Sequence, residues 1–104
     1  MQSDGVIART LTLVTGTYNH VVFFVYMVRC ADGTLYTGLA RDPQARLKVH
    51  NAGKGAKYTR SRLPVALVYT EPCESLSAAL KRERELKPWK RARKEALLRT
   101  QSRR

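Results

Sequence analysis

The chain has 104 residues, which is enough for one domain around one hydrophobic core and too few for two. Its hydrophobic fraction of 43% is ordinary for a globular protein and argues against wholesale disorder. Lys and Arg number 20 against 8 Asp and Glu, and the resulting net charge of +12 favours a polyanionic partner such as nucleic acid.

Membrane and secreted classes are disfavoured. No apolar run approaches the roughly 20 residues of a membrane helix, and the first residues lack the basic and then apolar pattern of a signal peptide. Cys30 and Cys73 have the spacing of neither a zinc site nor a disulfide framework, so we expect free thiols in a reducing cytoplasm. The sequence therefore predicts a cytoplasmic protein without a membrane partner.

The positive charge is concentrated in two blocks. Residues 41–62 carry seven basic side chains against one acid, and residues 81–104 carry eleven against three. The rest of the chain is close to neutral. Two basic blocks on a nearly neutral body predict a nucleic-acid surface, although Lys- and Arg-rich helix faces that only keep the protein soluble are the simpler alternative.

The chain is predicted to hold a single folded domain between two tails. Residues 1–19 show no sustained periodicity, and we expect a flexible extension there, although "TLTLVT" could form an edge strand. The predicted domain spans residues 20–100, and residues 101–104 form a basic C-terminal tail.

A β-hairpin is predicted first. Val21–Val28, "VVFFVYMV", is apolar throughout and rich in β-branched and aromatic residues, which is typical of a strand buried on both faces. Asp32 and Gly33 then mark a turn, and "TLYTGLA" is the return strand.

Helix signals follow the hairpin. Asp42 can cap a helix, Pro43 suits its first position, and Gly53 can end it in the left-handed conformation. A basic loop, expected to be flexible, connects this helix to a third strand that begins at Pro64.

Two more helices complete the chain. "SLSAALKRERELK" is predicted to be helical, with Ser75 or Ser77 as its cap and Pro88 as its end, and "WKRARKEALLRT" forms the last helix. The order β-β-α-β-α-α predicts an α+β fold in which helices cover a three-stranded antiparallel sheet.

The relative orientation of two tyrosines depends on the hairpin register. Tyr26 and Tyr36 share a sheet face only if the connecting loop has an odd number of residues. A two-residue turn at Asp32 and Gly33 places them on opposite faces, whereas a three-residue loop with a left-handed Gly33 places them together. The residues alone leave both arrangements open.

Two helices carry polar residues of interest. Arg46 and His50 are one turn apart and share a helix face, although a helical histidine is more often structural than catalytic. In the later helix, an apolar stripe is predicted with Glu83 in its middle. A carboxylate there requires an ion-pair partner or a metal, and both explanations stay open. The stripe consists of Leu76, Ala79, Leu80 and Leu86.

Over residues 22–98, these features together resemble the GIY-YIG nuclease superfamily. The motifs are "FVYMV", "YTG" ten residues after Tyr26, Arg46, His50, and "ALKRE" ending in Glu83. The runs "RCADGTLYTG", "HNAGKGAKYTR" and "LPVALVY" are similar to those of small stand-alone bacterial GIY-YIG proteins. The first motif lacks its leading glycine, and Thr37 replaces the isoleucine of the second.

The resemblance implies the GIY-YIG endonuclease fold and a metal-dependent nuclease that hydrolyses phosphodiester bonds of DNA, with RNA less favoured. Glu83 would hold one Mg²⁺ or Mn²⁺ per active site, because these hard cations accept few carboxylates and keep several waters. Arg46 would contact the scissile phosphate. Tyr36 or Tyr26 would position or deprotonate the attacking water, and His50 would orient a tyrosine or stabilise developing charge.

Further residues are expected to grip the nucleic-acid backbone or to stack on a base. These are Asn51, Lys54, Lys57, Tyr58 and Arg60. Two alternatives remain: a nucleic-acid binding module that kept the fold without turnover, and a protein whose basic helices dock an acidic partner.

Overall fold

The computed structural model describes residues 23–102. In that range three strands form one antiparallel sheet, ordered β2-β1-β3, and four helices accompany it, which confirms the predicted α+β class. The elements are β1 (Phe23–Arg29), β2 (Leu35–Ala40), α1 (Pro43–Asn51), α2 (Lys57–Arg60), β3 (Ala66–Cys73), α3 (Leu76–Leu86) and α4 (Arg91–Ser102).

The structure differs from the predicted order at one element. The loop that was expected to be flexible contains the short helix α2. The predicted N-terminal extension, residues 1–19, lies outside the described residues. At the other end, α4 continues to Ser102, so the first two residues of the predicted C-terminal tail are helical.

β1 is the central strand, and this position explains why it is apolar throughout. Val25 and Met27 belong to a core cluster with residues of α3 and α4, whereas Tyr26 and Val28 belong to a second cluster on the side of α1. We call the first side the core face and the second the tyrosine face. A strand covered on both faces cannot show polar alternation.

The hairpin turn settles the register of the two tyrosines. A backbone bond of 2.8 Å from Cys30 to Thr34 closes the hairpin, which leaves a three-residue loop with Gly33 at φ 86°. Tyr26 therefore pairs with Gly38, and Val28 pairs with Tyr36. Because all four residues have even numbers, Tyr26 and Tyr36 lie diagonally on the same face, so the structure has the arrangement of the three-residue loop.

A bulge in β3 places two of its odd-numbered residues on opposite faces of the sheet. The pairing with β1 shifts between Met27, which is opposite Tyr69, and Val28, which is opposite Leu67. The extra residue reverses the alternation, so Tyr69 joins the core face and Leu67 packs on the tyrosine face.

Local signals begin and end α1 as predicted. The Asp42 carboxylate accepts a hydrogen bond from the Ala45 amide at 3.1 Å, and Pro43 occupies the first turn. Gly53 follows the helix at φ 79°. For α3 the cap is Ser75, whose hydroxyl accepts a bond from the Ala78 amide at 3.0 Å. Packing places α1 on the tyrosine face and α3 on the core face.

The apolar stripe predicted for α3 is only half correct. Ala79 and Leu86 are fully buried, but Leu76 and Leu80 are 46% and 38% exposed. Ala79 and Leu86 are seven residues apart and lie on one line along the helix, whereas Leu80 is about 100° from Ala79. When the side of α3 that carries Ala79 and Leu86 faces the core, Leu80 points to the edge of the interface. Glu83 lies between Ala79 and Leu80 around the helix axis.

An ion pair and core packing attach α4 to the sheet. The Arg29 guanidinium donates two hydrogen bonds to the Glu95 carboxylate, at 2.7 and 2.8 Å. This pairing lowers the pKa of Glu95 to about 2. Leu98 is buried in the core cluster, and the Gln101 amide donates to the Thr70 carbonyl at 2.6 Å. None of the helices in the described range is both long and apolar enough to cross a membrane.

Thr37, the residue that departs from the second motif, has an unpaired hydroxyl. It is fully buried, and its Oγ1 has no hydrogen-bond partner among residues 23–102. Its odd number places it on the core face, opposite Met27. A buried hydroxyl without a partner costs about 1–3 kcal/mol.

Thr37→Val should therefore increase the free energy of unfolding by about 1 kcal/mol, because it removes the unpaired hydroxyl and keeps the shape. Chemical denaturation monitored by circular dichroism measures this change. Thr37→Ser is the control, because it keeps the hydroxyl and removes a buried methyl group, and it should destabilise the protein. A less stable Thr37→Val variant would mean that the hydroxyl has a partner in solution.

Candidate active site

The centre of the candidate site is a hydrogen bond between two buried side chains. The Tyr26 hydroxyl on β1 lies 2.7 Å from His50 Nε2 on α1. Tyr26 is 2% exposed and His50 is fully buried. The last turn of α1 thus places the His50 imidazole over the central strand β1, within hydrogen-bond distance of the Tyr26 side chain.

Two glycines make room for this pair. An ideal Cβ on Gly38, directly across the sheet from Tyr26, would lie 2.5 Å from the Tyr26 hydroxyl oxygen. A Cβ on Gly55 would collide with His50 Nδ1. The tyrosine ring therefore lies over bare backbone on one side, and the loop before α2 closes against the imidazole on the other.

Burial and a nearby cation set the protonation of the pair. Desolvation lowers the pKa of His50, and the positive charge of Arg46 lowers it further, so the imidazole is neutral near pH 7. Burial raises the pKa of the Tyr26 phenol, with contributions from Tyr36 and Glu83, whereas Arg46 opposes this shift. The resting site therefore contains a neutral phenol and a neutral imidazole.

Tyr36 forms the exposed side of the site. Its ring centroid lies 5.6 Å from that of His50 in an edge-to-face arrangement and 5.9 Å from that of Tyr58, which stacks on it. The Arg62 guanidinium lies over the Tyr58 ring at 3.9 Å, and the Lys87 ammonium lies 5.7 Å from the centre of the Tyr36 ring. Two tyrosines between two cations make an electropositive aromatic surface beside the buried pair.

Arg46 and Glu83 complete the arrangement from opposite sides. Arg46 is half-buried on α1, close enough to influence the pKa of both Tyr26 and His50. Glu83 projects from α3, and its charge also reaches Tyr26. Its side chain is 19% exposed and pairs with Lys87 at 3.4 Å. The structure thus brings together all five residues predicted for chemistry.

Of the residues predicted to bind nucleic acid, Asn51 makes contacts within the protein, whereas the others are exposed near α2. The Asn51 side chain accepts from the Val65 amide at 2.8 Å and donates to the Val65 carbonyl at 2.9 Å, so both ends of its amide hold the start of β3. Lys54, Lys57 and Arg60 are exposed around α2. Tyr58 is 38% exposed, with its ring on Tyr36.

Sequence reasoning did not single out four residues that the site depends on. Gly38 and Gly55 allow the close approaches, Thr59 bonds to His50 Nδ1 at 2.9 Å, and Lys87 pairs with Glu83. Gly38, Gly55 and Thr59 all lie inside the quoted runs "RCADGTLYTG" and "HNAGKGAKYTR". The signal was present, but only the packing shows which atoms these residues touch.

Comparisons with known proteins agree on one family. The model of the GIY-YIG catalytic domain matches residues 22–96. A UPF0213 protein of Staphylococcus aureus is 56% identical over 75 residues, which is 72% of this chain and 92% of that protein.

Two solved structures were also found. An NMR structure of a protein from E. faecalis is 40% identical, covers 78% of this chain and 86% of its own, and superposes with a TM-score of 0.53. An NMR structure of a UPF0213 protein from Bacillus halodurans is 44% identical, covers 75% of this chain and 83% of its own, and has a TM-score of 0.49.

Gly38→Ala should destabilise the protein by about 1–3 kcal/mol, because the new methyl group overlaps a rigid ring that His50 holds in place. It should also move the imidazole ¹⁵N resonances of His50 as the bond to Tyr26 lengthens. Denaturation and ¹⁵N NMR measure the two effects.

Gly53→Ala is the matched control. Nothing lies within 4 Å of its added Cβ, so it should cost only the strain of φ 79°, about 1–2 kcal/mol, and leave the His50 resonances unchanged. A Gly38→Ala variant with wild-type stability and wild-type resonances would contradict the close approach of Tyr26.

Proposed function

The chain belongs to the GIY-YIG family of catalytic domains, and we propose that it hydrolyses phosphodiester bonds of DNA with one divalent metal ion. The observation that carries the proposal is the buried bond between Tyr26 and His50, beside Tyr36, Arg46 and Glu83. A module that only binds nucleic acid needs exposed positive charge. It does not need a neutral imidazole bonded to a phenol beneath the surface.

Tyr26 and His50 are proposed to move the proton of the attacking water. The Tyr26 phenol does not ionise readily by itself, because burial raises its pKa and keeps the proton on the oxygen. With His50 Nε2 at 2.7 Å, however, the phenol proton can pass to the imidazole as the oxygen takes a proton from water. The hydroxide oxygen then bonds to phosphorus while the bond to the leaving oxygen breaks. This choice makes Tyr26 the base and leaves Tyr36 to position the water.

Arg46 is proposed to bind the phosphate that is cleaved. It is half-buried beside Tyr26, so a phosphate that it holds would lie next to the base. A guanidinium presents several N–H groups in one plane and can bind two phosphate oxygens together. Its positive charge would also stabilise the negative charge that grows on phosphorus oxygens during attack.

Glu83 is the residue proposed to hold the metal ion. The described residues contain no group of three or more His, Cys, Asp or Glu that could hold a metal by themselves. One carboxylate still fits Mg²⁺, which is often held by one or two carboxylates together with substrate phosphates and water. Glu83 is largely buried, and its carboxylate makes an ion pair with the half-exposed ammonium of Lys87, which a cation can replace. A bound metal would supply positive charge for the transition state and the leaving oxygen.

The surroundings of the site support a nucleic-acid substrate. Lys54, Lys57 and Arg60 expose positive charge around α2. Tyr58 is 38% exposed, and a base could stack on its ring if it displaced the Arg62 guanidinium that now lies over it at 3.9 Å. We propose DNA as the substrate and the cytoplasm as the location. Both cysteines are free thiols, as expected in a reducing compartment.

Arg46→Ala should reduce kcat by about 10²–10³-fold, because it removes a charge that acts mainly in the transition state. Arg46→Lys should restore little of this activity, because an ammonium cannot bind two oxygens in the same geometry. Cleavage of labelled DNA under single-turnover conditions measures both.

Lys48→Ala is the control for Arg46. It removes an exposed positive charge from the same helix and should leave kcat within about twofold of wild type. Equal losses in the Lys48 and Arg46 variants would show that only the overall charge of α1 matters.

The proposed function as a whole is tested by incubating the protein with labelled single- and double-stranded DNA and RNA in Mg²⁺, Mn²⁺ or EDTA. Glu83→Gln should abolish cleavage and Mn²⁺ binding, while nucleic-acid binding is retained. Its melting temperature should stay within a few degrees of wild type or rise, because an ion pair with a half-exposed Lys87 contributes about 0.5 kcal/mol.

Glu85→Gln is the matched control, because it removes an exposed carboxylate of α3 that pairs with Arg82, and it should cleave normally. Cleavage that persists in EDTA would exclude the metal. Binding without cleavage under every condition would favour the non-catalytic module. Cleavage of RNA alone would correct the substrate.

A further inference from the structure

Both imidazole nitrogens of His50 have a partner in the protein interior. Nε2 faces the Tyr26 hydroxyl at 2.7 Å, and Nδ1 faces the Thr59 hydroxyl at 2.9 Å. Each hydroxyl can donate or accept, so the His50 contacts alone allow either tautomer. The direction of the bond to Tyr26 therefore depends on what Thr59 does with its own proton.

A backbone carbonyl decides the direction. Thr59 Oγ1 also lies 2.9 Å from the carbonyl oxygen of Ala56, which can only accept. The Thr59 proton must therefore lie on that bond, and Oγ1 turns a lone pair toward His50. Nδ1 then carries the imidazole proton, and in the neutral ring Nε2 is left with the lone pair that faces Tyr26.

The main chain around Thr59 holds this arrangement in place. Thr59 is fully buried on α2, and its amide also bonds to the Ala56 carbonyl, at 3.1 Å. A Cβ on Gly55 would collide with His50 Nδ1, so the backbone before α2 packs directly against the imidazole. The position of Oγ1 is therefore set by backbone as well as by its own rotamer.

We propose that Thr59 is a positioning residue that fixes the tautomer of His50, so that Tyr26 must donate its proton to Nε2. The oxygen of Tyr26 then has a lone pair for the proton of the attacking water, even with Arg46 beside it. In the other tautomer, Nε2–H would occupy one of the lone pairs of this oxygen, and the phenol proton would point toward the water. This inference rests on the proposed function for its catalytic consequence, but not for the tautomer itself.

The first test measures the tautomer without any reaction. The chain contains two histidines, so a His20→Gln background leaves His50 as the only imidazole in ¹⁵N NMR. In that background we expect Nδ1 protonated and Nε2 unprotonated. Thr59→Ser keeps the hydroxyl and should give the same pattern. Thr59→Val keeps the shape without the hydroxyl and should give a mixture of tautomers or Nε2–H.

The second test measures turnover in the same variants. Thr59→Val should lower kcat about tenfold or more, in the range seen when a residue that orients a histidine is removed. Thr59→Ser should recover most of the rate, and DNA affinity should be unchanged in both. Raising the pH should not restore Thr59→Val, because its defect is the position of a proton on an already neutral ring.

Several charged or titratable groups surround His50. Its neighbours that titrate or carry charge are Tyr26 from β1, Tyr36 from β2, Arg46 from α1 and, beyond the tyrosines, Glu83 and Lys87 from α3. All are unchanged in the Thr59 variants, so a difference between Thr59→Val and Thr59→Ser reports the hydroxyl alone.

The outcomes separate this inference from the proposed function. A wild-type His50 with protonated Nε2, or a Thr59→Val spectrum identical to wild type, would overturn the tautomer assignment. A shifted tautomer with an unchanged cleavage rate would overturn the positioning role. If the wild type cleaves nothing, the proposed function fails and the positioning role fails with it, while the NMR result still decides the tautomer. Thr59→Ala replaces Thr59→Val if the valine variant does not fold.

Discussion

The bond between the Tyr26 hydroxyl and His50 Nε2 lies in the protein interior, where each polar atom needs a partner. That requirement shapes the residues around it. Gly38 and Gly55 are bare because the two rings occupy the space of their side chains, and Thr59 lies beneath Nδ1 because the second imidazole nitrogen is also buried. On the core face of the sheet, the buried hydroxyl of Thr37 shows the opposite situation, because it has no partner among residues 23–102.

The two faces of the sheet differ in what covers them. On the core face, α3 and α4 cover Val25 and Met27 with apolar side chains. On the tyrosine face, short helices leave Tyr36 and Tyr58 partly open to solvent. Because β2 is an edge strand, α3 can bring a carboxylate and an ammonium beside the open tyrosines while its own apolar line stays on the core face. The site thus receives groups from both layers.

Local sequence signals predicted much of this arrangement. The caps of α1 and α3, the central apolar strand and the one-turn spacing of Arg46 and His50 each depend on neighbours within a few residues, and the structure has them as predicted. The same reasoning was wrong where distant packing decides. Leu80 has the helical spacing of a core residue, but α3 buries the line of Ala79 instead. The helical turn at residues 57–60 has too few residues for a periodic signal.

The sequence by itself determined which chemical groups this protein has, the order of its strands and of its helices other than α2, and its family, because periodicity, caps and motif spacing are local properties. Only the tertiary structure decided that Tyr26 and Tyr36 share a face, because this depends on one residue of loop length closed by a bond between Cys30 and Thr34. It also decided that the Asn51 amide holds β3 and that Thr59 meets His50. These contacts join residues whose spacing follows no helical or strand period, and a hydrogen bond between them exists only when the backbone brings both atoms within about 3 Å.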